Sequence, residues 1–146
     1  MNNDDLRRDI EHECRQLILS ITQFGDHREA EKAAALFAPD GSWLRGGVVY
    51  TGPDEIQKTY GHGSPTQVVR HINGGTVVTV VDEDHAESVT YYLAINDDPG
   101  VEATPPFPMR LPFSMGEWHD KFVRTPDGWR FAARATKRIF ERPKVS

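Results

Sequence analysis

The chain has 146 residues, 38% apolar and 27% charged, with a formal net charge of -5. That length makes one domain, 1–146, able to bury a core without metals or crosslinks, and the composition excludes a disordered chain. The acid excess leaves no basic footprint for nucleic acid, no run approaches the ~18 apolar residues of a membrane span, and the acidic start Met1–Asp5 with a lone Cys14 points to the cytoplasm.

The first segment reads as a helix. Leu6, Ile10, Cys14, Leu17, Ile18 and Ile21 recur at three- and four-residue steps and lie on one stripe. Gly25 is expected to stop it. Asp26 then caps a second helix over residues 27–37, which ends at Ala38-Pro39-Asp40-Gly41. Two short strands follow, residues 42–45 and 48–51, around Gly46-Gly47. Gly52-Pro53 opens a third helix that reaches Tyr60. Residues 61–65 form a loop in which His62 either lines a pocket mouth or, the plainer reading, is a solvated loop histidine.

The rest reads as strand. Residues 66–81 are rich in β-branched side chains, with a bulge expected at Gly74-Gly75. Residues 86–96, 113–124 and 129–140 are the remaining strands. Residues 97–112 hold five of the ten prolines and read as a long loop, either a lid or an assembly element. Helices followed by long antiparallel strands define an α+β class. A bent sheet around one long helix buries these faces and leaves a cone with an open, apolar mouth.

Four stretches carry a resemblance: Phe37–Gly41, Tyr50–Ile56, Arg70–Gly75 and Asp120–Arg130. They resemble the SnoaL-like group of the nuclear transport factor 2-like superfamily over about residues 6–140. The resemblance implies the cone-shaped, cystatin-like fold, with three N-terminal helices in a strongly curved, mostly antiparallel sheet. Within the group the chain is similar to scytalone dehydratase-like and dehydrochlorinase-like lyases. That likeness implies a catalytic Asp at Asp26 and a catalytic His at His71, and assembly as a homodimer or homotrimer. Two departures stand out. The water-holding tyrosines of the dehydratase type fall on Gly25 and Arg45 here, and its second pocket His falls on Asn96.

Read from the residues, a His facing an apolar pocket is a usable base near neutral pH, and a carboxylate on its other nitrogen fixes the tautomer. No Gly-x-Ser-x-Gly elbow is present and Cys14 lies on the core stripe, so no nucleophile is available for activation. Zinc-type spacings are absent, and adjacent His119 and Asp120 point to opposite strand faces, so neither metal nor cofactor is expected. The chemistry left is proton abstraction followed by elimination or isomerisation on a small hydrophobic, cyclic or aromatic molecule. Asn73, two residues from His71, is expected on the same face. Trp43, Tyr50, Tyr60, Asn96 and Trp118 are the candidate pocket wall. Two alternatives stay open: Asp26 as a plain helix cap, and the whole domain as a non-catalytic small-molecule-binding or assembly module.

Overall fold

The structure is a computed structural model that describes residues 2–61 and 63–144; His62 lies outside the described residues. The element order is α1 Asn3–Asp26, α2 Ala30–Ala34, β1 Phe37–Arg45, β2 Val48–Thr51, α3 Pro53–Thr59, β3 Val68–Val80, β4 His85–Asp97, β5 Ser114–Thr125 and β6 Gly128–Glu141. The six strands form one sheet in the order β2-β1-β6-β5-β4-β3. Every neighbouring pair is antiparallel except β1 and β6.

The stripe on α1 is the heart of the core. Ile10, Cys14, Leu17, Ile18 and Ile21 are buried against Phe37, Trp43, Ile56, Phe122, Trp129 and Phe131. Asn2 starts the helix, its side chain accepting a 2.8 Å bond from Asp5 N, and Asp4 and Asp5 complement the positive end of the helix dipole. Cys14 is fully enclosed, and burial together with nearby Glu13 and Asp120 pushes its thiol up to about 12.

Gly25 does not end α1. The helix runs through it to Asp26, and the stop comes two residues later, where Arg28 takes a left-handed φ of 59°. Glu29 N bonds Phe24 O at 2.8 Å and Arg28 N bonds Gly25 O at 3.2 Å, the paired bonds of a Schellman ending. Gly25 is small for a different reason: a Cβ there would lie 2.9 Å from Tyr60 Cε1. The second helix is also shorter than expected, five residues with no side-chain cap, so Asp26 is not its N-cap. Phe37 already belongs to β1 and pairs with Phe131. Between Phe37 and Ser42 the pairing with β6 is irregular; Pro39 has no N–H to give, and a Cβ on Gly41 would meet Phe131 O at 2.8 Å.

The remaining boundaries follow the turn chemistry. Gly46 and Gly47 both have positive φ, 58° and 79°, which joins β1 and β2 through a two-residue hairpin turn. Gly74-Gly75 is a bulge: Asn73 pairs with Tyr92 and Thr76 with Thr90, three residues advancing against two. Two further register shifts between β5 and β6, at Met115/Gly116 and Lys121/Phe122, bend the sheet around α1. The long loop stands away from the core, with Val101, Met109 and Leu111 exposed. It is tied at its far end, where Arg142 N donates to Phe113 O and Arg142 Nη1 to Leu111 O. Among the described residues no helix is long and apolar enough to cross a membrane.

Candidate functional site

The last turn of α1 crosses the open edge of β3. Because β3 ends the sheet order, some of its backbone N–H groups have no strand partner. Asp26 takes one of them. Its Oδ2 accepts from His71 N at 2.7 Å, while its Oδ1 meets His71 Nδ1 at 2.6 Å. Both oxygens of one carboxylate therefore hold one residue, by its backbone and by its ring. The Asp26 side chain is 6% exposed and that of His71 28%, so the carboxylate is shielded and the ring is open to space. An ionised carboxylate only accepts, so Nδ1 is the donor in this contact. The carboxylate thus meets His71 and not the first N–H groups of α2, whose N-cap is Glu29.

His71 faces a cavity of about 390 Å³ between α1, α3 and the concave face of the sheet. Of the residues expected on its wall, Trp43, Tyr60, Asn96 and Trp118 are there beside Asp26 and His71. Asn73 is not part of that wall. It does lie on the His71 face, but its amide turns to Thr22, Nδ2 donating to Oγ1 at 3.2 Å, while the Thr22 hydroxyl donates to Ile18 O at 2.9 Å. Tyr50 is also absent from the wall. It is paired with Trp43 across the hairpin, and packs partly buried against the main core.

The aromatic walls have a definite arrangement. Tyr92 and Trp118 stack at 4.5 Å between centroids, and the His71 ring lies 5.7 Å and 5.6 Å from them. With Ala94 they form a second buried cluster separate from the main core. Gly116 makes room for it: a Cβ there would lie 2.6 Å from Tyr92 Oη and 2.4 Å from Lys137 O. Across the cavity Tyr60 packs on Trp43 at 5.6 Å. Burial pushes the Tyr60 phenol up to about 12, against the pull of the Arg134 and Arg45 guanidiniums, with Asp26 adding to the rise. The phenol is thus a neutral donor at any ordinary pH.

The arginines of the wall are not among the residues that the sequence offers as pocket-lining, although the family resemblance sets Arg45 at a water-holding position. Arg28, Arg134 and Arg138 line the cavity, as does Arg45. Arg134 is buried and forks onto Asp120, Nε to Oδ1 at 2.7 Å and Nη2 to Oδ2 at 2.9 Å, with its guanidinium 4.5 Å above Trp118. Asp120 and Arg134 are directly paired across β5 and β6, and both are buried. Asp120 shares the phase of Trp118 and Phe122, a signal that could have found it, whereas Arg134 is turned inward by the extra residue between Phe131 and Ala133 and is out of step with Trp129 and Phe131. From the long loop only its closing residue, Phe113, reaches the wall. Among the described residues no three His, Cys, Asp or Glu side chains converge as metal ligands.

A helix-filled, strongly curved mixed sheet with one mouth is the cone-shaped α+β fold of the nuclear transport factor 2-like, cystatin-like class. Residues 7–135 match the sequence profile of the SnoaL-like domain, and the chain belongs to that family. Solved structures agree on the fold. A provisionally assigned scytalone dehydratase from Novosphingobium aromaticivorans is 20% identical with a TM-score of 0.79, covering 98% of this chain and 93% of that one. A hexachlorocyclohexane dehydrochlorinase is 13% identical with a TM-score of 0.78, covering 99% and 95%. A Mycobacterium tuberculosis protein of unknown function is 19% identical with a TM-score of 0.78, covering 94% and 76%. No curated protein matches the sequence.

Proposed function

We propose that the protein is a cofactor-independent lyase, or an isomerase using the same first step, acting on a small hydrophobic cyclic or aromatic molecule. The observation that carries this reading is the Asp26–His71 contact, 2.6 Å long and open to the cavity through the imidazole. In the reaction, His71 Nε2 takes a proton from a substrate carbon and the C–H electron pair becomes a π bond. In an elimination the bond to the leaving group breaks with its electron pair, and the imidazolium or the neutral Tyr60 phenol protonates a departing hydroxide. Asp26 stabilises the imidazolium and keeps the reactive nitrogen aimed. A scytalone dehydratase and a dehydrochlorinase among the structural neighbours support an elimination.

The test is a panel of cyclic hydroxyketones and cyclic halides, followed for release of water or halide and for exchange of the substrate C–H with solvent deuterium. His71→Ala and Asp26→Asn should each lose both signals while keeping a native circular dichroism spectrum. Full turnover in either variant would rule out the mechanism.

We also propose that the outer face of the sheet joins copies of the chain into a homodimer or homotrimer. Leu44, Val49 and Val77 are exposed there around a groove of about 380 Å³, with Glu87 and Lys121 paired across β4 and β5 on the same surface. A patch holding both charges can complement a copy of itself. Light scattering of the wild type and of Val77→Glu should show an assembly in the first and a monomer in the second. A monomeric wild type would reject it.

A further inference from the structure

The charge on the cavity wall runs against that of the chain. The chain has 22 acidic and 17 basic side chains. The wall carries four arginines and one carboxylate, Asp26, which is committed to His71. A neutral apolar ligand makes no use of such a surplus.

Following each guanidinium to its partners separates them. Arg134 is closed off by its bidentate bond to Asp120. Arg138 Nη1 donates to Glu141 Oε1 at 2.9 Å. Arg28 Nη2 donates to the backbone carbonyls of Ser64 and Gln67 and fastens the loop before β3. Arg45 has no such commitment. Among the described residues it forms no salt bridge, and its one hydrogen bond is a long 3.5 Å contact to Thr59 O. A guanidinium has five N–H donors, so most of its valence is unused. Trp43 supports it from one side, 5.2 Å from ring centre to Cζ, and the residue is otherwise exposed, so its free donors are open to a ligand.

Its place in the fold gives the contact a direction. Arg45 is on β1 and His71 on β3, with β6, β5 and β4 between them in the sheet. Curvature brings both to one cavity from opposite walls. A ligand gripped at Arg45 therefore extends across Trp43, Trp118 and Tyr92 toward the His71 ring. Arg28 has no carboxylate partner either, but it is bonded into the loop before β3, which leaves Arg45 as the wall guanidinium with no hydrogen bond of ordinary length. One such group matches the single charge of a carboxylate, whereas a phosphate monoester carries about -1.5 to -2 near neutral pH.

We propose that the natural substrate is a cyclic carboxylic acid, and that Arg45 is the residue that binds its carboxylate. This rests on the cavity being the substrate site. The probes are benzoate, benzamide and phenyl phosphate, with affinity read from quenching of the cavity tryptophans in the full chain. Wild type should bind benzoate about tenfold more tightly than benzamide, the usual scale of one charge-assisted bond, and more tightly than phenyl phosphate. Arg45→Gln should erase the benzoate preference with benzamide affinity unchanged, and Arg45→Lys should restore part of it. His71→Ala should keep the preference. Equal affinity for benzoate and benzamide in wild type, or a preference that survives Arg45→Gln, overturns the proposal; tighter binding of phenyl phosphate overturns the carboxylate assignment. Full turnover by His71→Ala would sink the proton-transfer reading and leave the Arg45 site standing, so the two failures are distinct.

Discussion

Asp26→Asn changes one atom and reverses the logic of the site. The asparagine oxygen can still accept from His71 N, which the carboxylate holds at 2.7 Å. The amide nitrogen then faces Nδ1, where a carboxylate oxygen stood 2.6 Å away. An NH₂ group donates, so Nδ1 must accept and the ring proton moves to Nε2, the nitrogen that faces the substrate. A base with its lone pair turned away cannot start the reaction, and kcat should fall by about 10⁴, the scale of the same exchange in hydrolase triads. The stability change follows from the same two bonds. Hydrogen bonds to a charged group contribute about 1.5–3 kcal/mol and neutral ones about 0.5–1.5. Each bond therefore weakens by about 1 kcal/mol, which sums to about 2 kcal/mol and lowers Tm by about 6–8 °C for a domain of this size. Nitrogen-resolved NMR of the histidine rings reads the tautomer without needing a substrate. Wild type should show a protonated Nδ1 and a bare Nε2 on His71, and the variant the reverse. An Asp26→Asn protein whose ring keeps the proton on Nδ1, or whose substrate C–H exchange is undiminished, would refute the reasoning.

Gly116→Ala should be far worse than Gly25→Ala, because the first Cβ meets the backbone Lys137 O at 2.4 Å and the second meets only a side-chain ring atom at 2.9 Å; overpacking costs of about 1–3 kcal/mol are expected for Gly25→Ala and more for Gly116→Ala, measured by urea unfolding. Asp120→Asn leaves a buried guanidinium short of its partner and should cost about 3–5 kcal/mol by the same assay, whereas similar stability would mean that water reaches Arg134. Tyr60, at about 12 against an ordinary value of 10.0, should give an ultraviolet titration step near pH 12 that Tyr60→Phe removes. Its raised value favours the neutral phenol in the fold, so this contribution to stability is intact below pH 10 and is lost as pH rises toward 12. Cys14 should resist thiol reagents in the native protein at pH 8 and react at once in denaturant, because it has no exposed surface.

The sequence is readable where one signal decides the outcome. The α1 stripe, the hairpin at Gly46-Gly47, the bulge at Gly74-Gly75 and the last strand pair each rest on a single period or turn type, and each is in the structure. It misleads where one residue answers to a distant neighbour. Gly25 reads as a stop by local rules, yet it is required by the Tyr60 ring, 35 positions away in the chain. Arg28 is a poor left-handed residue by the same rules and holds that place while its side chain ties down Ser64 and Gln67. Strand alternation puts Asn73 on the right face, but no pattern announces that Thr22 claims its amide. The Asp26–His71 contact is legible only through the family resemblance; from the residues alone, helix capping is the plainer reading. Arg134 and Arg138 escape notice because a charged residue in a strand looks like surface until the register of that strand is known.

The double grip of Asp26 fixes more than a tautomer. Since the same carboxylate holds a main-chain N–H and the ring beside it, the imidazole cannot be re-aimed without moving the strand that carries it. The proton-transfer end of the cavity is thereby part of the scaffold, set by how the end of one helix meets the edge of one sheet. On the far wall Arg45 and Trp43, both on β1, stand apart from that junction. Substitutions at Arg45 or Trp43 can change which molecule is accepted while the chemistry offered to it stays the same.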